Sequence, residues 1–390
     1  MLPVSSSLAG MGFSSTWVFT SLYMHDALSI SYLFAGLVFT VSGLSAAMSQ
    51  VLAGRLGDRF GHRNVLLALI GLSGVAYFLI FYVSYFLHSP LVFSILFVVN
   101  ISINSAILSP LNSLVSLSSS SSLKGFSYLR MGNNVGWGFG PVIGGTIVSL
   151  YGYPYLYLFG VAMNVANAFV ALSILNVRGR TTRNPVKARG RINPLFFYLG
   201  MSALLLFMIQ GQESVTLPNF AGSFRDITAF GLGIIFFVNG LCVILLQVPI
   251  TRITSRIGLS KGYTIGIALF TIGFFTMAFD YNLLEFVISM VVATIGENFG
   301  FPAGNAIVTT LSRNENIGHH MGVFNAFISM GRSMGPVVGG TALTLFASPV
   351  KIWSLATVSG VVAILIYMIK LSRIVNAEEK QASETVDLPS

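Results

Sequence analysis

The chain contains a series of apolar stretches, each about 20 residues long, that recur from its first residues to about residue 372. A helix rises about 1.5 Å per residue, so each stretch is long enough to cross a hydrocarbon core about 30 Å thick. Only 8% of the 390 residues are charged and 54% are hydrophobic, whereas a soluble domain carries about 25% charged residues. Water is therefore excluded as the main solvent, and we expect an all-α integral membrane protein.

Hydropathy predicts twelve membrane-spanning helices with soft boundaries. They cover residues 2–24, 31–54, 64–86, 90–112, 125–150, 154–177, 194–218, 228–250, 261–281, 284–311, 320–347 and 350–372. A long basic segment divides them six and six. We therefore expect a six-helix bundle over 1–177, a linker over 178–193, a second six-helix bundle over 194–372 and a tail over 373–390. The serine run over residues 118–122 predicts a further loop.

Lysine and arginine fall mostly in alternate loops. Two of them, Arg225 and Lys351, lie on one predicted side, and seventeen lie on the other: Arg55, Arg59, Arg63, Lys124, Arg178, Arg180, Arg183, Lys187, Arg189, Arg191, Arg252, Arg256, Lys261, Arg313, Lys370, Arg373 and Lys380. Because cytoplasmic loops are enriched in these residues, we expect both termini in the cytoplasm. The net charge of +9 is dispersed over loops, which favours contact with lipid headgroups rather than nucleic acid.

The two halves of the sequence repeat one another. A shift of 197 residues superposes Arg55 on Arg252 and Gly61 on Gly258. A shift of 195 superposes GPVIGGT at 140–146 on GPVVGGT at 335–341. One near-constant shift that also matches arginine and proline indicates duplication of a six-helix unit, so we expect two pseudo-symmetric bundles.

The loop after the second predicted span reads GRLGDRFGHRNVL over residues 54–66. It resembles the loop signature of the major facilitator superfamily (MFS). That resemblance implies a cytoplasmic latch between the halves that opens and closes in alternating access, formed by Gly54, Asp58, Arg59, Gly61 and Arg63. The alternative is a charged topology anchor. His62 stands where the family has a basic residue, and Ser255 stands at the position of Asp58 in the second half.

Glycines recur every four residues in the fifth predicted span, at 132, 136, 140 and 144. This spacing places them on one helix face and predicts close packing against another helix. The expected packing residues are Gly136, Gly140, Pro141, Gly144, Gly335, Pro336 and Gly339. The first group also resembles the antiporter motif of proton-coupled drug exporters in the same superfamily, although the buried arginine that many of them carry in the fourth span is replaced by Asn100 and Asn104.

Four charged residues lie away from the ends of the predicted spans, and a charge at the bilayer centre costs about 2.5–3.5 kcal/mol. Glu213 and Glu297 belong to polar segments that we expect to be broken helices, and a carboxylate in such a setting can exchange protons. Arg130 could instead reach the headgroups, and the glutamates could form structural hydrogen bonds. The predicted proton-coupling and substrate cavity comprises Glu213, Glu297, Arg332, Arg130, Gln210, Asn298, Asn104 and Asn134.

The resemblance extends from the first span to about Arg373 and implies a proton-coupled secondary active transporter. Our first interpretation is export of a lipophilic compound by proton antiport. The alternative is a proton-coupled symporter or exporter of a sugar, organic acid or peptide, because the arginines would suit an anion. A remote alternative is a non-transporting receptor of the same fold. We expect a small-molecule substrate, protons and lipids as partners, a functional monomer in a prokaryotic plasma membrane, and no enzyme activity, cofactor, metal or phosphate-binding loop.

Overall fold

The computed structural model of the chain describes residues 1–118, 122–174, 194–312 and 317–386. Within these ranges the regular structure is helical, which confirms the all-α prediction. The predicted linker over 178–193, the centre of the serine run and Arg313 lie outside the described residues.

Twelve long helices follow one another, and a shorter helix follows the last of them. They are α1 (Leu2–Asp26), α2 (Tyr32–Phe60), α3 (His62–Leu87), α4 (Pro90–Ser118), α5 (Ser122–Tyr151), α6 (Pro154–Leu172), α7 (Pro194–Phe224), α8 (Ala229–Ile257), α9 (Leu259–Phe279), α10 (Leu283–Ser312), α11 (Ile317–Leu345), α12 (Pro349–Lys370) and α13 (Ser372–Val386). Nine helices of the described ranges have both the length and the apolar composition of a membrane span. The three other long helices, α1, α5 and α11, carry the rows of glycine and serine that make them more polar.

Large apolar side chains cover the outside of the fold. Met48, Leu150 and Ile369 expose 70%, 69% and 72% of their surfaces, while Trp353 and Tyr157 are fully buried. A water-soluble monomer rarely exposes contiguous apolar surface on this scale, whereas lipid covers it without cost. The burial pattern therefore agrees with a multi-pass membrane protein.

The contacts group the described residues into two compact units. Unit 1 contains α1 to α6 together with Glu213–Gly240, which is the end of α7 and the start of α8. Unit 2 contains the rest of α7 and α8 and all of α9 to α13. A glycine contact explains part of this grouping, because the start of α8 packs closely on α5. An added Cβ at Gly233 of α8 would lie 2.6 Å from the carbonyl oxygen of Pro141 of α5. The predicted halves, 1–177 and 194–372, follow the order of the chain and differ from this grouping by contacts. They stay a prediction.

Of the two helices predicted to be broken, one is interrupted and the other is not. In α7 a single 3-10 turn, Gly211–Glu213, separates two α-helical parts. In contrast, α10 is continuous through Pro302, so the prediction of a broken segment at 296–302 is wrong. A proline removes one backbone donor, and a membrane-spanning helix tolerates that loss when its neighbours compensate.

The repeat is visible in two sharp corners. Gly61 ends α2 and precedes α3 with φ +89°, and Gly258 ends α8 and precedes α9 with φ +94°. Such φ values favour glycine because it has no Cβ. The two residues coincide after the shift of 197, so the duplicated unit keeps the same backbone at this corner.

Candidate functional site

The first part of the candidate site is the contact between α1 and α5 in unit 1. An added Cβ at Gly136 would lie 2.6 Å from the backbone nitrogen of Met11, and one at Gly140 would lie 2.9 Å from its carbonyl oxygen. Gly144 continues the same row one turn further along α5. The Oγ of Ser14 donates a hydrogen bond to the carbonyl oxygen of Gly136 at 3.1 Å. The glycine row therefore lets two backbones touch, as close helix packing in membranes requires.

Four aromatic side chains lie beside this contact, and we refer to Phe13, Trp17, Phe39 and Trp137 as the aromatic cluster. The Trp137 ring centroid is 5.6 Å from those of Phe13 and Trp17, and Trp17 is 6.3 Å from Phe39. Phe13, Trp17 and Trp137 are half-buried, so part of each ring is accessible. The sequence interpretation missed this cluster. The available signal was Trp137, one of three tryptophans, directly after a packing glycine.

The corresponding contact in unit 2 joins α7 to α11. An added Cβ at Gly335 would lie 2.7 Å from the Cα of Gly211, and one at Gly211 would lie 3.0 Å from the Cδ of Pro336. Gln212 is fully buried and donates from Nε2 to the carbonyl oxygen of Gly335 at 3.1 Å. Gly339 lies one turn further along and is buried. This contact has the same glycine-to-backbone form as the one in unit 1.

Beside this second contact lies a different set of side chains, Phe207, Gln210, Phe301 and Arg332, which we refer to as the cationic cluster. The Nε of Arg332 donates to Oε1 of Gln210 at 2.7 Å, and its Cζ lies 4.9 Å from the Phe207 ring centroid. Phe207 stacks on Phe301 of α10 at 4.3 Å. Because Arg332 is exposed, its guanidinium can contact an anionic or aromatic ligand.

The two intramembrane carboxylates lie on different helices. Glu213 ends the 3-10 turn of α7 and is half-buried, and the contacts place it in unit 1. Glu297 is half-buried on α10, four residues before Phe301 of the cationic cluster. Next to it Asn298 is buried and donates from Nδ2 to the carbonyl oxygen of Cys242 on α8 at 3.5 Å. Half-burial means that part of each of the two glutamates is accessible rather than enclosed in the core.

The other predicted cavity residues lie in unit 1. Asn104 donates from Nδ2 to the carbonyl oxygen of Asn100 at 2.9 Å and accepts from the Oγ of Ser73 at 3.2 Å. Asn104 of α4 is therefore linked to Ser73 of α3. Arg130 is exposed on α5, and Asn134 is half-buried one turn further along the same helix.

The five predicted gating residues belong to the α2–α3 corner. Arg63 donates from Nη2 to the carbonyl oxygen of Leu172 at 2.7 Å, which satisfies the end of α6. The guanidinium carbon of Arg59 lies 5.1 Å from the Phe60 ring centroid. An added Cβ at Gly54 would lie 3.1 Å from the Oγ of a serine on α4. The corner is therefore attached to both α4 and α6.

Asp58 pairs with His62 across this corner. Oδ1 of Asp58 lies 3.5 Å from Nε2 of His62, and the Asp58 side chain is 59% exposed. His62, by contrast, is only 6% exposed. The reason is Gly57, where an added Cβ would overlap Nδ1 of the His62 ring and lie 2.8 Å from its Cε1. The missing side chain leaves space that the imidazole fills.

The helix order, the two glycine contacts and the α2–α3 corner together define a multi-pass transporter fold. The sequence profile of the Major Facilitator Superfamily matches residues 4–232 and 202–388. The chain belongs to this superfamily. It is therefore a secondary transporter of small molecules and not an enzyme.

Individual relatives agree with this assignment. The chain is 23% identical to the uncharacterized MFS-type transporter YttB of Bacillus subtilis, over 95% of each chain. It is 37% identical to the multi-drug resistance efflux pump PmrA homolog of Lactococcus lactis, over 30% of this chain and 29% of the relative. The crystal structure of the nucleoside transporter NupG superposes with a TM-score of 0.76 at 16% identity, covering 94% of this chain and 97% of NupG. At that identity the structural likeness shows the fold alone.

Proposed function

We propose that this chain exports lipophilic, ring-containing organic compounds in exchange for protons. The observation that carries the proposal is the aromatic cluster, in which Phe13, Trp17 and Trp137 present half-buried rings beside the α1–α5 contact. Aromatic faces attract apolar rings and organic cations without requiring matched hydrogen bonds. The antiporter-like glycine motif of α5 and the local similarity to an efflux pump support the same function.

In this proposal the two carboxylates carry the protons and the corner residues control access. Glu213 and Glu297 release protons when the compound binds and take them up when it leaves. Asp58, with Arg59 and Arg63, forms the principal latch of the transport cycle. The protein works as a monomer of two six-helix halves, with both termini in the cytoplasm.

The test is transport of ethidium, a planar lipophilic cation, into liposomes that contain the purified protein and have an acidic lumen. We expect wild-type protein to accumulate ethidium while the gradient lasts. Trp137→Ala should slow this uptake, and Glu297→Gln should make it independent of the gradient. Phe169→Ala is the matched control, since Phe169 is 68% exposed on α6. Equal uptake by the Trp137→Ala variant and the wild type would remove the role of the aromatic cluster.

A second candidate function is transport of a small anionic metabolite, which Arg332 favours. Its guanidinium lies against Phe207 and Gln210, an arrangement suited to a carboxylate attached to a ring. Labelled benzoate in the same liposomes distinguishes the two functions. Gradient-driven benzoate uptake that Arg332→Gln abolishes would favour the anion, while ethidium uptake that this variant leaves intact would favour the exporter.

A further inference from the structure

The α8–α9 corner is the second copy of the α2–α3 corner, but its side chains differ. After the shift of 197, Ser255 takes the position of Asp58. The Oγ of Ser255 donates to the carbonyl oxygen of Arg252 at 2.8 Å and is therefore used within its own helix. Gly258, which precedes α9, has no side chain to cap that helix. The second corner thus has no carboxylate of its own at the position where the first has Asp58.

A carboxylate reaches this corner from α13. Oε1 of Glu379 accepts a hydrogen bond from the backbone nitrogen of Leu259 at 2.8 Å, and Oε2 lies 3.3 Å from the position of an added Cβ on Gly258. Leu259 is the first residue of α9, so its N–H has no acceptor within the helix. A negative charge is also favourable at the positive end of the helix dipole. Leu259 occupies the position of His62, the partner of Asp58, in the first copy.

Packing along α13 holds Glu379 in place. Val375 is fully buried, and Leu371, just before α13, is 1% exposed. The Oγ atoms of Ser372 and Ser260 lie 3.1 Å apart, which ties the start of α13 to α9. The helix also contacts α10 and α12. Glu379 therefore belongs to an anchored helix rather than to a freely moving segment.

We propose that Glu379 is a positioning residue for the transport cycle. It supplies from α13 the carboxylate that the second corner lacks, so that α13 closes the α8–α9 corner as Asp58 and His62 close the α2–α3 corner. The closed corner restrains α8 against opening. The inference extends the gating role proposed for Asp58, but it rests on contacts within unit 2 alone.

The contact itself is tested by amide hydrogen exchange on the purified full chain. Glu379→Ala should speed exchange over residues 258–262 about fivefold, the factor that corresponds to a helix cap of about 1 kcal/mol. Glu379→Gln keeps an oxygen acceptor and loses the charge, so its effect should be smaller. Asn376→Ala is the control because Asn376 is exposed on the same helix. Unchanged exchange in Glu379→Ala would overturn the contact.

The role in α8 movement is tested with Cys242, the single cysteine of the chain, which lies half-buried on α8. Glu379→Ala should raise the rate of maleimide labelling of Cys242 several-fold, and adding Ser255→Asp should lower it again by restoring a carboxylate at the corner. A local helix cap would not alter labelling so far along α8. An unchanged labelling rate in Glu379→Ala would overturn the positioning role. Neither measurement uses a transported compound, so failure of ethidium transport would remove only the proposed function.

Discussion

The α1–α5 and α7–α11 contacts have one backbone arrangement and two kinds of side chain. Both have glycines pressed against the facing backbone, at Gly136 in one unit and Gly335 in the other. Beside them the first unit has the Trp137 and Phe13 rings at 5.6 Å, and the second has a 2.7 Å hydrogen bond from Arg332 to an amide oxygen. Trp137 and Arg332 occupy equivalent positions, 195 residues apart.

The difference shows which positions of the repeat were free to diverge. A Cβ on a contact glycine would overlap the backbone of the facing helix, which explains why Gly136, Gly140 and Gly144 recur as Gly331, Gly335 and Gly339 in the second half. Trp137 and Arg332 follow Gly136 and Gly331, and their side chains lie beside the backbone contact instead of between the two backbones, so they can differ without moving either helix. We infer that the glycines maintain the architecture in both units, while the residues that differ, Trp137 and Arg332, set what each unit can bind.

Alanine at the contact glycines should have the largest effect on stability. Gly136→Ala and Gly335→Ala place a methyl group against backbone atoms, and overpacking of this kind costs about 1–3 kcal/mol. Gly138→Ala and Gly322→Ala are matched controls on α5 and α11, because an added Cβ at either has no atom within 4 Å. The controls should be neutral or gain up to about 1 kcal/mol from helix propensity. The measurement is the melting temperature of each purified variant. Equal melting temperatures for Gly335→Ala and Gly322→Ala would show that the α7–α11 contact does not depend on its glycine as the α1–α5 contact is expected to.

Alanine at the α2–α3 and α8–α9 corners should have the next largest effect on stability. Gly61→Ala and Gly258→Ala force a Cβ into a backbone conformation with positive φ, at a cost of about 1–2 kcal/mol each. Gly258→Ala should cost more, since the new Cβ meets the Glu379 carboxylate at 3.3 Å, while at Gly61 the nearest atom lies at 3.9 Å. Gly71→Ala, in open space on α3, is the control for thermal unfolding. A smaller loss at Gly258 than at Gly61 would contradict the closed second corner.

The sequence predicted the features that depend on local pattern. Hydropathy located the twelve long helices because lipid requires about 20 apolar residues for each crossing. The four-residue glycine spacing indicated close packing because it places the glycines on one helix face. In the structure the glycine face of α5 packs against α1, and that of α11 packs against α7. The broken segment expected at 296–302 was wrong, since Pro302 is accommodated within a continuous helix.

What the sequence could not predict depends on contacts between distant segments. No local pattern pairs Phe13 with Trp137, and their distance follows from how α1 and α5 meet. The assignment of Glu213–Gly240 to unit 1 is likewise a matter of packing. Glu379 lies in a polar segment with an ordinary composition, and only the position of α13 shows that it reaches Leu259.

The aromatic cluster and the cationic cluster should differ in their contribution to the binding of an organic cation. We expect the aromatic cluster to contribute about 1 kcal/mol, which is about fivefold in dissociation constant. If the aromatic cluster binds the exported compound, Trp137→Ala should weaken ethidium binding by that factor. Arg332→Ala should leave binding of this cation unchanged or strengthen it, because a positive charge has been removed. Fluorescence anisotropy of ethidium with purified protein measures both. Equal weakening by the two variants would mean that the clusters do not divide the task in this way.

The smallest stability effect is expected where the first corner is made to resemble the second. His62→Leu introduces the residue found at the equivalent position 259 and removes the pair with Asp58. A leucine can fill the space beside Gly57 that the imidazole occupies, and a pair with one exposed partner contributes less than about 1 kcal/mol. We therefore expect a melting temperature close to that of the wild type but slower ethidium transport, because Asp58 has lost its partner at the latch. His62→Gln, which keeps a polar group at this position, should retain more transport than His62→Leu. A large fall in melting temperature with unchanged transport would show instead that His62 is a core residue without a role in gating.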